Sequence, residues 1–180
     1  MDIIDALDHT FQHAHGVISN VRPDQYGDKT PCEEWTVRDV LEHAIAVVAG
    51  LGAVASGTPG SQFELGPDPA AQFDQVAAST LAAWRAPGVL DQLLNFGPGP
   101  MPGRVVAGIN LLDTATHTWD IATATGQPAQ LPDDVATAAL EVSRETISPE
   151  IRAGRFGSEL SAPDGAGPTE QLVAFLGRRP

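Results

Sequence analysis

The chain has 180 residues, 42% of them apolar, which is enough to bury one hydrophobic core, and it reads as a single domain over residues 1–180. Ten Lys and Arg stand against 23 Asp and Glu, a net charge of −13 that excludes the clustered basic surface nucleic acid requires. The longest nearly apolar stretch, residues 44–55, is shorter than the roughly 20 residues a bilayer needs, and MDIIDALDHT has no basic region leading into an apolar one, so neither a membrane span nor a secretory signal is expected.

Ile4, Leu7, Phe11, Ala14, Ile18 and Val21 recur at helical spacing and predict a first helix over about residues 2–21. A loop, RPDQYGDKTPCEEW, follows. A second helix is expected from Thr36, where Thr36 and Asp39 approximate a capping box. It carries Val37, Val40, Leu41, Ala44, Val48 and Leu51 until Gly57 and Pro59 stop it. Asp68-Pro69 opens a third, through Phe73, Val76, Ala77, Thr80 and Trp84 to Pro87. The run FGPGPMPG reads as loop, and no alternating strand pattern is evident anywhere. A fourth helix covers about residues 104–125 and closes on Gly126. A fifth covers about 133–146, residues 147–168 read as irregular, and a short last helix spans about 169–176. Four long amphipathic helices with short accessory C-terminal elements imply an all-α fold, most simply a four-helix bundle.

Chemistry concentrates on the fourth helix. At about 100° per residue, Val106, Ile109, Asp113, His117, Asp120, Ile121 and Ala124 share one face within an arc of about 120°. A buried carboxylate needs a hydrogen-bond partner, a cation or a metal. Asp113 and His117 stand one turn apart, where both reach one ion. His43, in line with Val40, Val47 and Val54, projects from the second helix as the third candidate ligand. Three protein ligands leave a position open for water or substrate, the catalytic pattern. The alternative is a buried hydrogen-bonded pair, with Asp113 only orienting His117.

These residues carry a family likeness. TPCEEWTVRDVLEHAIA at 30–46 resembles the TPC-x-x-W-x-V-x-x-L-x-x-H signature of actinobacterial DinB-like metal-binding proteins, and DTATHTWDIATATGQP at 113–128 resembles their H-x-W-D-L-A-x-A-T-G segment. The tail RAGRFGSELSAPDGAGPTEQLVAFLGRRP is similar to their closing segment, which ends L-G-R-x-P. The resemblance implies an up-and-down DinB-like four-helix bundle holding a divalent metal, zinc or nickel, near one end. It is the type of mycothiol-dependent maleylpyruvate isomerase and of related thiol S-transferases. In such enzymes the metal activates a low-molecular-weight thiol as a thiolate that attacks an electrophile. His43 and His117 match the family's histidines, while Asp113 falls where many relatives have Glu or His. The isomerases also carry a further C-terminal domain.

The function this implies is divalent-metal binding with mycothiol-dependent transfer or isomerisation of a small electrophile. Metal-dependent hydrolysis and a non-enzymatic metal-binding or stress-related module are the alternatives. A small-molecule thiol and its electrophile are the expected partners, with a homodimer allowed for. The lone Cys32 rules out an internal disulfide and fits a reducing cytoplasm; it reads as a loop anchor at the start of the second helix. Trp35 reads as that helix's hydrophobic staple, and Trp119 as helix packing. Asp120 is expected to accept the free N–H of a ligating His. His9 and His13 fall opposite the apolar stripe and read as solvated, while His15 reads as packing or hydrogen bonding.

Overall fold

Capping chemistry sets where the helices begin. The structure, a computed structural model, describes residues 2–32, 34–60, 62–96 and 99–180, so Glu33 of the TPCEEW loop and Gly97-Pro98 of the expected Gly/Pro loop lie outside the described residues. Helix α1 (Ile3–Ser19) starts where the Asp2 carboxylate accepts the Ile4 N–H at 2.9 Å. Helix α2 (Val37–Ser56) has the expected reciprocal box: Asp39 accepts from the Thr36 N–H at 2.8 Å, and Thr36 Oγ1 accepts from the Asp39 N–H at 3.3 Å. Asp68 and Pro69 begin α3 (Pro69–Trp84). Helix α4 (Gly103–Thr125) ends on Gly126, whose φ of 70° suits glycine at a helix C-terminus. Helix α5 (Asp133–Thr146) has the bounds read from sequence, and α7 (Pro168–Phe175) is the expected last helix.

Two expectations need correction. The fold is mostly helical, not all-α: β1 (Leu93–Phe96) pairs antiparallel with β2 (Gly99–Pro102) inside the segment read as loop. Pro100 and Pro102 hid the strand, yet a two-stranded ribbon has only edges, where proline is tolerated. One helical turn, α6 (Pro149–Arg152), also forms within the region read as irregular.

Helix α1 packs on α3, α4 and α5, α2 packs on α3 and α4, and α7 docks on α5. Helix α4 is therefore covered by α1, α2 and α5. Its buried residues run round the helix, unbroken through Thr116, His117, Thr118, Trp119 and Asp120, and are not confined to one stripe. Ile109 and Asp113, on the stripe read as inward, lie on its less buried side. By length and apolar composition α2 would reach across a bilayer, more than the 44–55 stretch suggested. Its contacts with α3 and α4 account for much of that apolarity: Val37, Val40, Leu41, Ile45, Val48 and Leu51 are buried in the core.

Candidate functional site

Helix α2 and helix α4 bring His43, Asp113 and His117 together. One ligand atom from each lies within 4.8 Å of the others. Asp113 Oδ2 stands 3.3 Å from His43 Nε2 and 3.8 Å from His117 Nε2. Donors about 2.0–2.1 Å from a tetrahedral zinc are about 3.4 Å apart, so the spacing suits such an ion. The other oxygen, Asp113 Oδ1, is buried and has no hydrogen-bond partner among the described residues. A buried, unsatisfied carboxylate oxygen is costly, and a cation beside it removes the cost. The donor set therefore fits a divalent metal on an observation independent of the spacing.

Exposure gives the site a direction. The His43 and Asp113 side chains are 34% and 22% exposed, His117 10% and Asp120 0%. The open side is thus at His43 and Asp113, and the anchored side lies within the fold. There, His117 Nδ1 lies 3.0 Å from Asp120 Oδ2, and Arg178 grips Asp120 with two bonds, Nε to Oδ1 at 2.7 Å and Nη2 to Oδ2 at 2.8 Å. Burial disfavours a charge on Asp120, but the hydrogen bonds and charges of Arg178 and His117 outweigh it and hold the carboxyl below its ordinary value. Burial also opposes charge on His117, and Arg178 adds to that. The Asp113 charge and the Asp120 hydrogen bond and charge overcome both, so the His117 pKa is raised.

The loop ahead of α2 closes over this cluster. Thr30 Oγ1 donates to the carbonyls of Cys32 and Trp35, and Lys29 bridges to Thr36. The Trp35 ring then lies 4.7 Å from the His43 ring and 5.9 Å from that of His117, nearly parallel to the latter. Its position before Thr36 suits a staple, but the aromatic contact is with the two imidazoles. Cys32, read as a loop anchor, also lies beside the cluster. Ligand atoms of Cys32, His117 and Asp120 lie within 4.8 Å of one another, although no His is close to Cys32 in sequence. Arg178, which sequence reasoning did not single out, had one signal: a buried Asp120 demands a cationic partner.

The remaining histidines lie apart. His9 is exposed and 2.9 Å from Asp134, while His15 Nδ1 is 2.6 Å from Asp74. His13 is half-buried, not solvated as expected; its Nε2 is buried without a partner among the described residues, and burial lowers its pKa. Trp119 is buried in the core as read. Concavities of about 750 and 300 Å³ lie elsewhere and are lined by none of the clustered residues, so the chemistry does not follow cavity size.

Comparisons with known proteins agree with the fold. Two uncharacterised proteins of Mycobacterium tuberculosis, from two strains, are each 36% identical over 170 residues, covering 90% of this chain and 90% of theirs. The crystal structure of a mycothiol-dependent maleylpyruvate isomerase matches with a TM-score of 0.53 at 15% identity, over 77% of this chain and 68% of that one. A histidine-to-alanine mutant of that isomerase matches with a TM-score of 0.54 at 15% identity, over 89% and 75%. The family model for the mycothiol maleylpyruvate isomerase N-terminal domain matches residues 11–122, which span α2, most of α4 and all three clustered residues, and the chain belongs to that family.

Proposed function

We propose that the chain is a divalent-metal-binding protein of the cytoplasm that uses mycothiol, or a similar low-molecular-weight thiol, in transfer to or isomerisation of a small electrophile. The observation that carries the reading is the convergence of His43, Asp113 and His117 around a buried Asp113 oxygen with no partner among the described residues. In this reading α1 to α4 form the DinB-like four-helix bundle, residues 1–180 act as one domain, and zinc or nickel is the ion. When bound, such an ion supplies Lewis acidity that lowers the pKa of a coordinated thiol.

The protein's own groups do the rest. His43 and His117 present their Nε2 lone pairs, and the Asp113 carboxylate offsets part of the cation's charge. Asp120 accepts the Nδ1–H of His117 and so sets which nitrogen faces the site. The Trp35 ring covers the two imidazoles and screens them from water on one side. The exposed edge of His43 and Asp113 is left for thiol and electrophile.

The test is metal analysis followed by turnover. Purified protein is expected to carry about one equivalent of zinc or nickel, and His43→Ala with His117→Ala to abolish uptake. Loaded protein is then expected to consume mycothiol against a panel of electrophiles. Unchanged metal uptake in the double variant overturns the ligand set. Ester or amide consumption without thiol points to hydrolysis, and inactivity in both assays to a binding module.

A further inference from the structure

The chain's closing residues are built into the anchored side of the site. Leu176 is buried, and Gly177 at φ 82° reverses the chain so tightly that a Cβ there would strike the Gly157 backbone. The Arg178 N–H donates to the Val173 carbonyl at 2.8 Å, and Arg152 clamps the same turn by donating to the Phe175 and Gly157 carbonyls. This turn carries the Arg178 guanidinium to Asp120.

We propose that Arg178 is a positioning residue for the metal centre, acting through its two-pronged hold on Asp120 to fix the tautomer and ring orientation of His117. The proposal rests on the reading of His43, Asp113 and His117 as ligands. Asp120 has no exposed side-chain surface, so water does not orient it. The guanidinium fork matches a carboxylate in plane, and with bonds of 2.7 and 2.8 Å it stops the carboxylate from turning. Asp120 Oδ2, held in that plane, stands 3.0 Å from His117 Nδ1 as a hydrogen-bond acceptor. Nδ1 must then carry the hydrogen, which leaves the lone pair on Nε2, the nitrogen beside Asp113. Without the fork the carboxylate is free to swing off the ring, and the imidazole can place its hydrogen on Nε2, where it blocks ligation. A lysine would supply the charge but not the planar fork.

The test uses the full chain with Arg178→Gln, Arg178→Lys, Asp120→Asn and the double variant of Arg178→Gln with Asp120→Asn. Zinc affinity is read by competition with a chromophoric chelator. The nitrogen shifts of the neutral imidazoles, read without metal, separate the two tautomers. Arg178→Gln and Asp120→Asn are each expected to weaken zinc binding about 10–100-fold and to remove the Nδ1–H signature of His117. The double variant is expected to lose little more than either single one, and Arg178→Lys to recover only part. A folded Arg178→Gln within about twofold of the parent affinity and with the Nδ1–H signature intact overturns the proposal, as do losses that multiply in the double variant. Should Arg178→Gln fail to fold, Arg178→Lys carries the same two readings, and parent-like values for both overturn it. If the unmodified protein takes up no zinc, the ligand assignment fails, and the nitrogen shifts still decide whether Arg178 governs His117.

Discussion

The two oxygens of Asp113 have different surroundings, and that difference separates a ligand from a structural partner. Oδ2 faces two imidazoles while Oδ1 is buried without a bond among the described residues. A carboxylate held only to orient His117 would stabilise the metal-free fold. One held for a metal is a liability until the ion arrives. At a pH above the raised His117 value, where the imidazole is neutral, Asp113→Ala is therefore expected to leave the metal-free melting temperature unchanged or raised, and to abolish the zinc-induced rise. A clear fall in the metal-free melting temperature at that pH would favour the hydrogen-bonded pair. The raised His117 pKa adds a pH signature. In the metal-free protein its stabilising contribution is complete below the ordinary value of 6.5 and is lost as pH rises through the raised folded value. Metal binding has the opposite sign, because a ligating imidazole must first lose its proton. The difference in melting temperature between zinc-loaded and chelated protein is expected to be larger at about pH 8.5 than at about pH 6, on either side of a free histidine's ordinary pKa. A difference that shrinks with rising pH would exclude His117 as a ligand.

At the scale of elements, α2 and α3 meet through a gap only glycine fits. A Cβ on Gly52 would collide with Thr80, whose backbone Cα as well as its side chain is in the way. Gly50, half a turn away, faces open space. Gly52→Ala is expected to cost about 1–3 kcal/mol through overpacking, whereas Gly50→Ala should gain up to about 1 kcal/mol from helix propensity. Paired chemical denaturation curves check both signs. The same contrast shows what was legible in the sequence. Caps such as Thr36, Asp68 and Gly126 act on neighbouring residues, so their spacing was enough to place helix ends. The pairing of β1 with β2 is disguised by Pro100 and Pro102, and the all-round burial of α4 depends on which helices cover it. His43, Asp113 and His117 were readable because helical periodicity puts each on a defined face. Trp35, Cys32 and Arg178 reach the same place through a loop and the turn after α7, which have no period to read.

For the whole molecule, a metal between α2 and α4 ties local chemistry to global stability. An ion that binds only the folded state adds RT ln(1 + [M]/Kd), about 4 kcal/mol at a thousandfold excess over Kd. For a chain of this size each kcal/mol moves the melting temperature by about 2–4 °C, so saturating zinc is expected to raise it by about 8–16 °C. The net charge of −13 complicates the measurement, since any divalent cation relieves repulsion on so acidic a surface. About 0.15 M monovalent salt reduces that contribution, the Debye length there being about 8 Å. Magnesium, which prefers six oxygens and keeps its water, gives the surface contribution alone. The expected pattern is a large rise with zinc, little with magnesium, and no more than magnesium's with zinc in the His43→Ala, His117→Ala double variant. Equal rises with both ions, persisting in that variant, would mean that the acidic surface and not the three-residue cluster is what the metal stabilises.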